Sequence, residues 1–267
     1  MNHRHQPRLR MAEWAVAAMF LACFLTPPAL LAEDSSLTNL LAQGAQHEKE
    51  GRTKAALQCY LQADRLAPTN SLILCCLTKQ YCDLMHETKS EDEQKGLLAK
   101  ALNCALNAVK ADTNNARAHL CTAVCYTKEF PFSDNKAKVK YSKLIKSEAE
   151  TAIALDPKED ISYYMLGRWH FEVANMNFLV KGIVKIAYGG LPKASNEDAI
   201  QNFKKAIQLA PNRIINHAEL AKVYRETGDK KQALAELKKC DELTPLDRDD
   251  AEAQTEARKE LQRVGAK

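Results

Sequence analysis

Apolar residues recur with helical spacing in one stretch near the middle of the chain, residues 163–211. Eight residues carry the pattern, mostly three or four apart within each half: Tyr163, Leu166, Gly167, His170, Ala199, Phe203, Ala206 and Pro211. Residues at this spacing share one face of a helix, so the stretch predicts two helices packed against each other. Gly167 would let the helices approach closely, and Pro211 cannot continue the second one. A single helix pair cannot bury its own apolar face, so stacked neighbours are expected.

The order of large residue, Leu-Gly, aromatic-type residue, Ala, Phe, Ala and Pro is that of a tetratricopeptide repeat of 34 residues. Four further stretches follow the same register. The predicted units are 37–70, 71–115, 116–159, 160–213 and 214–247, followed by a charged helix at 247–264 that caps the stack. The sequence therefore predicts an all-α fold, a tetratricopeptide-repeat (TPR) superhelical solenoid of about five helix pairs with a concave groove, spanning residues 37–264.

Three units are longer than the repeat. About eleven residues are inserted around 87–96 and about ten around 130–135, and about twenty separate the two helices of the fourth unit. The last insertion, Phe171–Tyr188, has an apolar face wider than a half-buried helix needs. Either it extends the first helix onto the neighbouring repeat, or it lines or covers an apolar groove for an acyl chain or an amphipathic helix.

The N-terminus has the pattern of an export signal. Residues 1–13 are basic, Trp14–Leu25 is an uninterrupted apolar run, and Ala32 precedes a polar start. This order predicts a secretory signal peptide over residues 1–32, with cleavage near Ala32 and export to a periplasm or secretory lumen. The alternative is a membrane anchor formed by residues 14–31.

Composition limits the classes of partner. The 267 residues are 46% hydrophobic and 27% charged, as in an ordinary globular protein, and the net charge is +4. Basic residues form no stripe along the sequence, so we expect no nucleic-acid partner.

A narrower resemblance covers residues 140–260. The residues that carry it include Leu166–Trp169, Glu172–Ala174, Gly190–Pro192, Glu197–Ala199, Asn216, Leu220, Lys222, Tyr224 and Gln254–Ala257. In these the chain resembles the regulator of microtubule dynamics family. The resemblance implies a tetratricopeptide domain, microtubule association for some members, and organelle tethering with lipid binding for at least one. It brings no catalytic residues, and the export signal is a departure from the better-known members.

Candidate binding residues follow from projecting the first helix of each unit onto the groove and from the fourth unit's insertion. They are Lys79, Lys128, Tyr164, Arg168, Phe171, Phe178, Val180, Lys222 and Arg225. Cations above an apolar floor would suit an anionic amphiphile or an acidic peptide. The alternative is that the cations are solvated and pair with nearby acidic residues. Leu41 and Ala45 occupy the positions where some chaperone-binding TPR domains grip a terminal carboxylate, so that partner class is disfavoured.

No catalytic, metal-binding or cofactor-binding motif is found, and we expect a protein that is not an enzyme. Four histidines occupy repeat positions that normally pack: His47, His119, His170 and His217. Eight cysteines follow the N-terminal stretch, and buried thiols are expected, with one or more disulfides as the alternative in an oxidising compartment.

The leading hypothesis from sequence is a non-catalytic TPR scaffold, exported or membrane-tethered, that holds a protein segment in its concave groove. The first alternative is a lipid-binding or lipid-transfer module that uses the same groove. The second, a microtubule-associated regulator, follows from the resemblance alone.

Overall fold

The computed structural model describes residues 28–265, and within that range the chain forms α-helices joined by short connections. The helices are α1 Pro28–Lys49, α2 Thr53–Leu66, α3 Ser71–Glu87, α4 Glu91–Ala111, α5 Ala116–Glu129, α6 Asn135–Leu155, α7 Asp160–Ala174, α8 Phe178–Tyr188, α9 Asn196–Leu209, α10 Ile214–Glu226, α11 Lys230–Glu242 and α12 Arg248–Gly265, with one 3₁₀ turn at Phe130–Phe132. Most of the predicted export signal, residues 1–27, lies outside the described residues, while residues 28–32 begin α1. None of the helices described is long and apolar enough to span a membrane.

The helices stack as pairs. Neighbours in sequence pack most extensively on each other: α1 on α2, α3 on α4, α5 on α6, and α10 on α11. In the fourth pair α7 packs on α9, and α8 is inserted between them in sequence. Helix α12 packs on α10 and α11 and so covers the C-terminal end of the stack. The predicted all-α tetratricopeptide fold is confirmed.

The insertion of the fourth unit is a separate helix. Helix α7 ends at Ala174, and α8 begins at Phe178 with the Asn177 side chain accepting a hydrogen bond from the backbone N–H of Leu179. The hypothesis that the insertion extends the first helix is therefore wrong. An Asn cap satisfies an N–H group that has no partner within the helix, which favours a new start at this point.

Two residues of the repeat pattern, Gly167 on α7 and Phe203 on α9, form the close contact between these helices. A Cβ atom placed on Gly167 would lie 3.1 Å from the ring of Phe203, a tight contact that would force this ring to shift by a few tenths of an ångström. Phe203 is fully buried and meets Tyr164 edge to face, with 6.1 Å between ring centroids. The spacing read from the sequence thus corresponds to the centre of the largest apolar cluster.

Two polar residues fasten α12 to the stack. The carboxylate of Asp250 is fully buried and accepts hydrogen bonds from the backbone N–H groups of Ile215 and Leu246. The amide of Gln254 donates to the carbonyl oxygens of Cys240 and Leu243, at 2.9 and 2.7 Å. Both residues supply partners to backbone groups at helix ends that lack them. Gln254, one of the residues on which the family resemblance rests, thus has a structural role.

Two of the four histidines make the same pair of polar contacts, one with a carboxylate and one with a backbone carbonyl oxygen. His119 places Nδ1 2.6 Å from Glu148 and Nε2 3.1 Å from the carbonyl oxygen of Thr113. His217 places Nδ1 2.7 Å from Glu236 and Nε2 3.0 Å from the carbonyl oxygen of Pro211. Each ring joins the two helices of its unit to the preceding turn. The geometry supports the packing interpretation of these histidines.

The polar contacts of His217 predict a pH-dependent contribution to stability. Burial opposes charge on His217, but the hydrogen bonds to Glu236 and to the Pro211 carbonyl outweigh it, so the pKa is raised above its usual value. A raised folded-state pKa stabilises the fold fully below the unfolded-state pKa of about 6.5, and the contribution disappears as the pH rises through the folded-state pKa. We expect His217→Gln to lower the free energy of unfolding more at pH 5.5 than at pH 9, measured by urea denaturation. An equal loss at both pH values would contradict a stabilising interaction between protonated His217 and Glu236.

The cysteines pack as free thiols in the described residues. Cys125 and Cys240 are fully buried, at repeat positions that normally hold Ala. Burial raises the pKa of Cys240 to about 12, with the charge of Glu236 acting in the same direction, so this thiol stays protonated and unreactive.

Candidate functional site

A cavity of about 730 Å³ lies between α6, α7 and α8. Its apolar wall residues come from all three helices and from the turns beside them: Phe130, Pro131, Val139, Ile145, Met165, Trp169, Val173, Met176, Val180, Ile183, Val184, Tyr188 and Leu191. Charged side chains in its lining are Lys138, Arg168 and Glu172. The cavity is thus a half-open, largely apolar pocket with three charged groups in its lining.

Helix α8 forms one wall because the chain turns sharply at both of its ends. The side chain of Asn175 donates to the Phe171 carbonyl at 2.8 Å and to Asn196 at 2.7 Å, which fixes the end of α7 against the start of α9. At the other end Gly189 has a φ of 75°, a left-handed conformation that glycine adopts without strain. The Lys143 ammonium on α6 also donates to the carbonyl of Tyr188, at 3.3 Å. These contacts hold α8 across from α6.

The polar part of the Trp169 side chain is already satisfied. Its Nε1–H donates to the carbonyl oxygen of Ser142 at 2.8 Å and lies 3.0 Å from the Ser142 hydroxyl. An indole whose N–H has a partner can present the rest of its ring as apolar surface. The wall formed by α6 and α7 is therefore complementary to an apolar ligand.

Arg168 is the cation best placed at this cavity. Burial works against its charge, but the neighbouring Tyr164 and Glu219 favour it, and the pKa of Arg168 is raised. The guanidinium lies 3.4 Å from the Tyr164 hydroxyl, and burial raises the pKa of that tyrosine to about 12. The tyrosine is therefore neutral at physiological pH, and Arg168 keeps a full positive charge that an anionic group could meet.

Some of the candidate residues of the fourth unit line the cavity and others do not. Arg168 and Val180 line the cavity. Tyr164 is buried in the central core, and Phe171 is half-buried against the same core. Phe178 lies at the start of α8 and is 84% exposed. Only two of these five residues therefore face the same space.

The four remaining candidates are cations on α3, α5 and α10, outside the cavity. Lys79 pairs with Asp83 at 2.6 Å, Lys222 with Glu219 at 2.6 Å, and Arg225 with Glu260 at 3.0 Å. The ammonium of Lys128 lies 2.9 Å from Nε2 of His86. Three of the four thus have the acidic partners that the alternative interpretation proposed.

The contribution of α6 was missed from the sequence. Val139 and Ile145 project into the cavity from this helix, beside Phe130 and Pro131 of the preceding turn. The third unit carries its own insertion at this turn, and residues of that insertion and of the one in the fourth unit line the same cavity. Two insertions in consecutive repeats were the available signal, because equivalent positions of stacked repeats lie side by side.

The sequence comparison decides the family. The family model described as regulator of microtubule dynamics protein 1-3 matches residues 38–265. The chain belongs to this family.

Individual members of the regulator of microtubule dynamics family are moderately similar. The mouse regulator of microtubule dynamics protein 1 is 27% identical over 235 residues, covering 87% of this chain and 76% of the mouse protein. The bovine protein 1 is 32% identical over 63% of this chain, and the Xenopus laevis protein 3 is 27% identical over 83% of it. The chain spans 53% of the bovine protein and 49% of the frog protein.

Solved structures agree on the fold. A thermophilic TPR protein of Thermus thermophilus superposes with a TM-score of 0.60 at 21% identity, over 83% of this chain and 98% of the other. A chain of the APC/C hetero-tetramer Cut9-Hcn1 gives a TM-score of 0.56 at 15% identity, over 82% of this chain and 35% of the other. These likenesses show the fold.

Proposed function

We propose that this chain is a non-catalytic binding protein whose cavity between α6, α7 and α8 holds the acyl chain of an anionic amphiphile. The observation that carries the proposal is the cavity itself, a half-open pocket of about 730 Å³ with walls formed mainly by apolar side chains. Small-molecule sites usually measure roughly 300–1,000 Å³ and combine apolar walls with a few polar groups.

The charges in the lining favour an anionic end group. Arg168 and Lys138 supply two cations, against the single carboxylate of Glu172, among the residues that line the cavity. Arginine binds carboxylate and phosphate oxygens through two parallel hydrogen bonds. A tail in the cavity with its acidic end at Arg168 would therefore satisfy both parts of the site.

A charge in the wall should remove this ligand. We expect Val180→Glu to weaken binding of a fluorescent long-chain fatty acid at least about tenfold, because a carboxylate would then stand in the apolar lining against the acyl chain. The measurement is a fluorescence titration of the full chain. Leu106→Glu is the matched control, since Leu106 is an exposed apolar residue on α4, away from the cavity. Equal binding by the two variants would contradict the assignment.

A second candidate is a scaffold that holds an acidic protein segment in the concave groove, and the TPR fold favours it. The internal pairing of Lys79, Lys222 and Arg225 weakens this candidate, because a partner would first have to displace the chain's own carboxylates. The two candidates respond differently to the same variants. Lys222→Glu would impair a segment bound in the groove, whereas only Val180→Glu would impair an acyl ligand in the cavity.

A role at microtubules is proposed from the family name alone. Its test is co-sedimentation of the full chain with polymerised tubulin. Export or membrane anchoring by residues 1–32 stays a prediction from sequence, and protease protection of a C-terminally tagged chain would test it.

A further inference from the structure

Helix α8 carries an unusual concentration of exposed apolar side chains, of which Val180 and Ile183 also line the cavity. Among the described residues, ten large hydrophobic side chains are exposed, and five of them belong to this eleven-residue helix: Phe178, Leu179, Val180, Ile183 and Ile186. Ile186 is 90% exposed and Leu179 is 71% exposed. The other five lie on five different parts of the chain. Leu179, Ile183 and Ile186 follow the spacing of four and three that places residues in one stripe of a helix.

Lysines surround this apolar stripe. Residues 173–196 contain Lys181, Lys185 and Lys193 and no acidic residue. On the neighbouring α6, residues 135–147 contain five lysines and again no acidic residue. Lys136, Lys140 and Lys143 are exposed and share one face of α6, and the contact of Lys143 with the end of α8 joins that face to the helix. The sequence by itself showed no basic stripe, because the lysines come from two separated segments.

Acidic groups border this surface. Asp134 caps the start of α6, Glu172 lines the cavity, Glu150 pairs with Lys146, and the exposed Glu197 directly follows Asn196. The surface between them therefore carries an excess of positive charge around an apolar centre.

We propose that α8 and the adjacent lysine face of α6 dock on an anionic membrane surface. An amphipathic helix lying in the membrane interface buries an apolar stripe among the lipid headgroups, and its flanking lysines meet the anionic lipids. Leu179 and Ile186 supply the apolar contact, while Lys136, Lys140 and Lys185 supply the electrostatic one. A nucleic acid would use the lysines but would leave the aliphatic stripe in water.

The proposal is independent of the cavity ligand, because Leu179 and Ile186 do not line the cavity. Docking would nevertheless bring the cavity beside the membrane, since α8 is the wall between them. Failure of one proposal is thus distinguishable from failure of the other.

Vesicle flotation with the full chain tests the docking surface. The vesicles contain phosphatidylcholine alone or phosphatidylcholine with phosphatidylserine. We expect tighter binding to the anionic vesicles, and the double variant Leu179→Asp/Ile186→Asp should lower that partition coefficient at least about tenfold. Lys136→Gln/Lys140→Gln should lower it about fivefold for each lysine removed.

Two control variants separate this surface from general effects. Leu72→Asp/Leu106→Asp changes two exposed leucines on α3 and α4, and Lys230→Gln/Lys231→Gln removes the same charge from α11. Both should bind anionic vesicles as the parent chain does. The apolar N-terminal residues are present in every variant, so their own contribution is constant. Equal binding by the α8 variant and the parent would overturn the proposal and leave this face to a protein partner.

Discussion

Replacing Phe203 by alanine is expected to lower the free energy of unfolding by about 3–5 kcal/mol, the usual range for a large aromatic removed from a packed core. Phe203 is fully buried, faces the space that Gly167 leaves open, and meets Tyr164 edge to face. Urea denaturation followed by far-ultraviolet circular dichroism measures the loss.

The matched control makes the same substitution on α8. Phe178 is 84% exposed, so Phe178→Ala should change the free energy of unfolding by no more than about 0.5 kcal/mol. A loss at Phe203 no larger than at Phe178 would mean that α7 and α9 are not held together by the repeat contact. The repeat interpretation of residues 163–211 would then fail with it.

Replacing Asp250 by alanine is expected to cost about 3 kcal/mol. The fully buried carboxylate accepts hydrogen bonds from two backbone N–H groups, of Ile215 and Leu246, and its removal leaves both without a partner. A donor left unsatisfied where water cannot reach it costs roughly 1–3 kcal/mol. Leu246 is 62% exposed, so its N–H can bind water, and most of the loss should come from the N–H of Ile215 in a half-buried residue and from the void left by the carboxylate. The loss should appear in urea denaturation, and hydrogen exchange should speed up first at the start of α10 and in α12.

Two further variants define the contribution of Asp250. Asp250→Asn keeps one acceptor and should lose about half as much stability as the alanine variant. Glu252→Ala removes an exposed partner of Arg248 on the same helix and should change stability by less than about 1 kcal/mol. If Asp250→Ala behaved like Glu252→Ala, α12 would not be fastened to α10 through this carboxylate.

The repeat could be predicted because its signals are local. Gly167 and Phe203 belong to a pattern of fixed spacing, and the close contact that the pattern implies is the one the structure contains. The separate start of α8 had a local signal as well, since Asn177 precedes a new apolar run. The width of the apolar face alone could not distinguish an extended α7 from a second helix.

One of the two readings of Phe171–Tyr188, that it lines an apolar groove, could be drawn from the sequence, but the opposite wall of the cavity was not identified. That wall includes Val139 of α6, which lies far from Val180 of α8 in the chain, and only the insertions in consecutive repeats connect the two segments. Some of the ion pairs made by the groove cations could be predicted from the sequence, and others could not. Lys79 and Asp83 are four residues apart on one helix, a spacing at which opposite charges pair. Arg225 meets Glu260 only because α12 docks on α10.

The measurement that tests the proposed function most directly is native mass spectrometry of the full chain, purified without denaturant, beside its Val180→Glu variant. We expect an added mass on the parent chain that is released on denaturation and identified as an anionic amphiphile with an acyl chain. The variant should show little or none of it. A parent chain that carries no added mass, even after incubation with anionic phospholipid, would contradict the assignment of the cavity and favour the protein-binding groove.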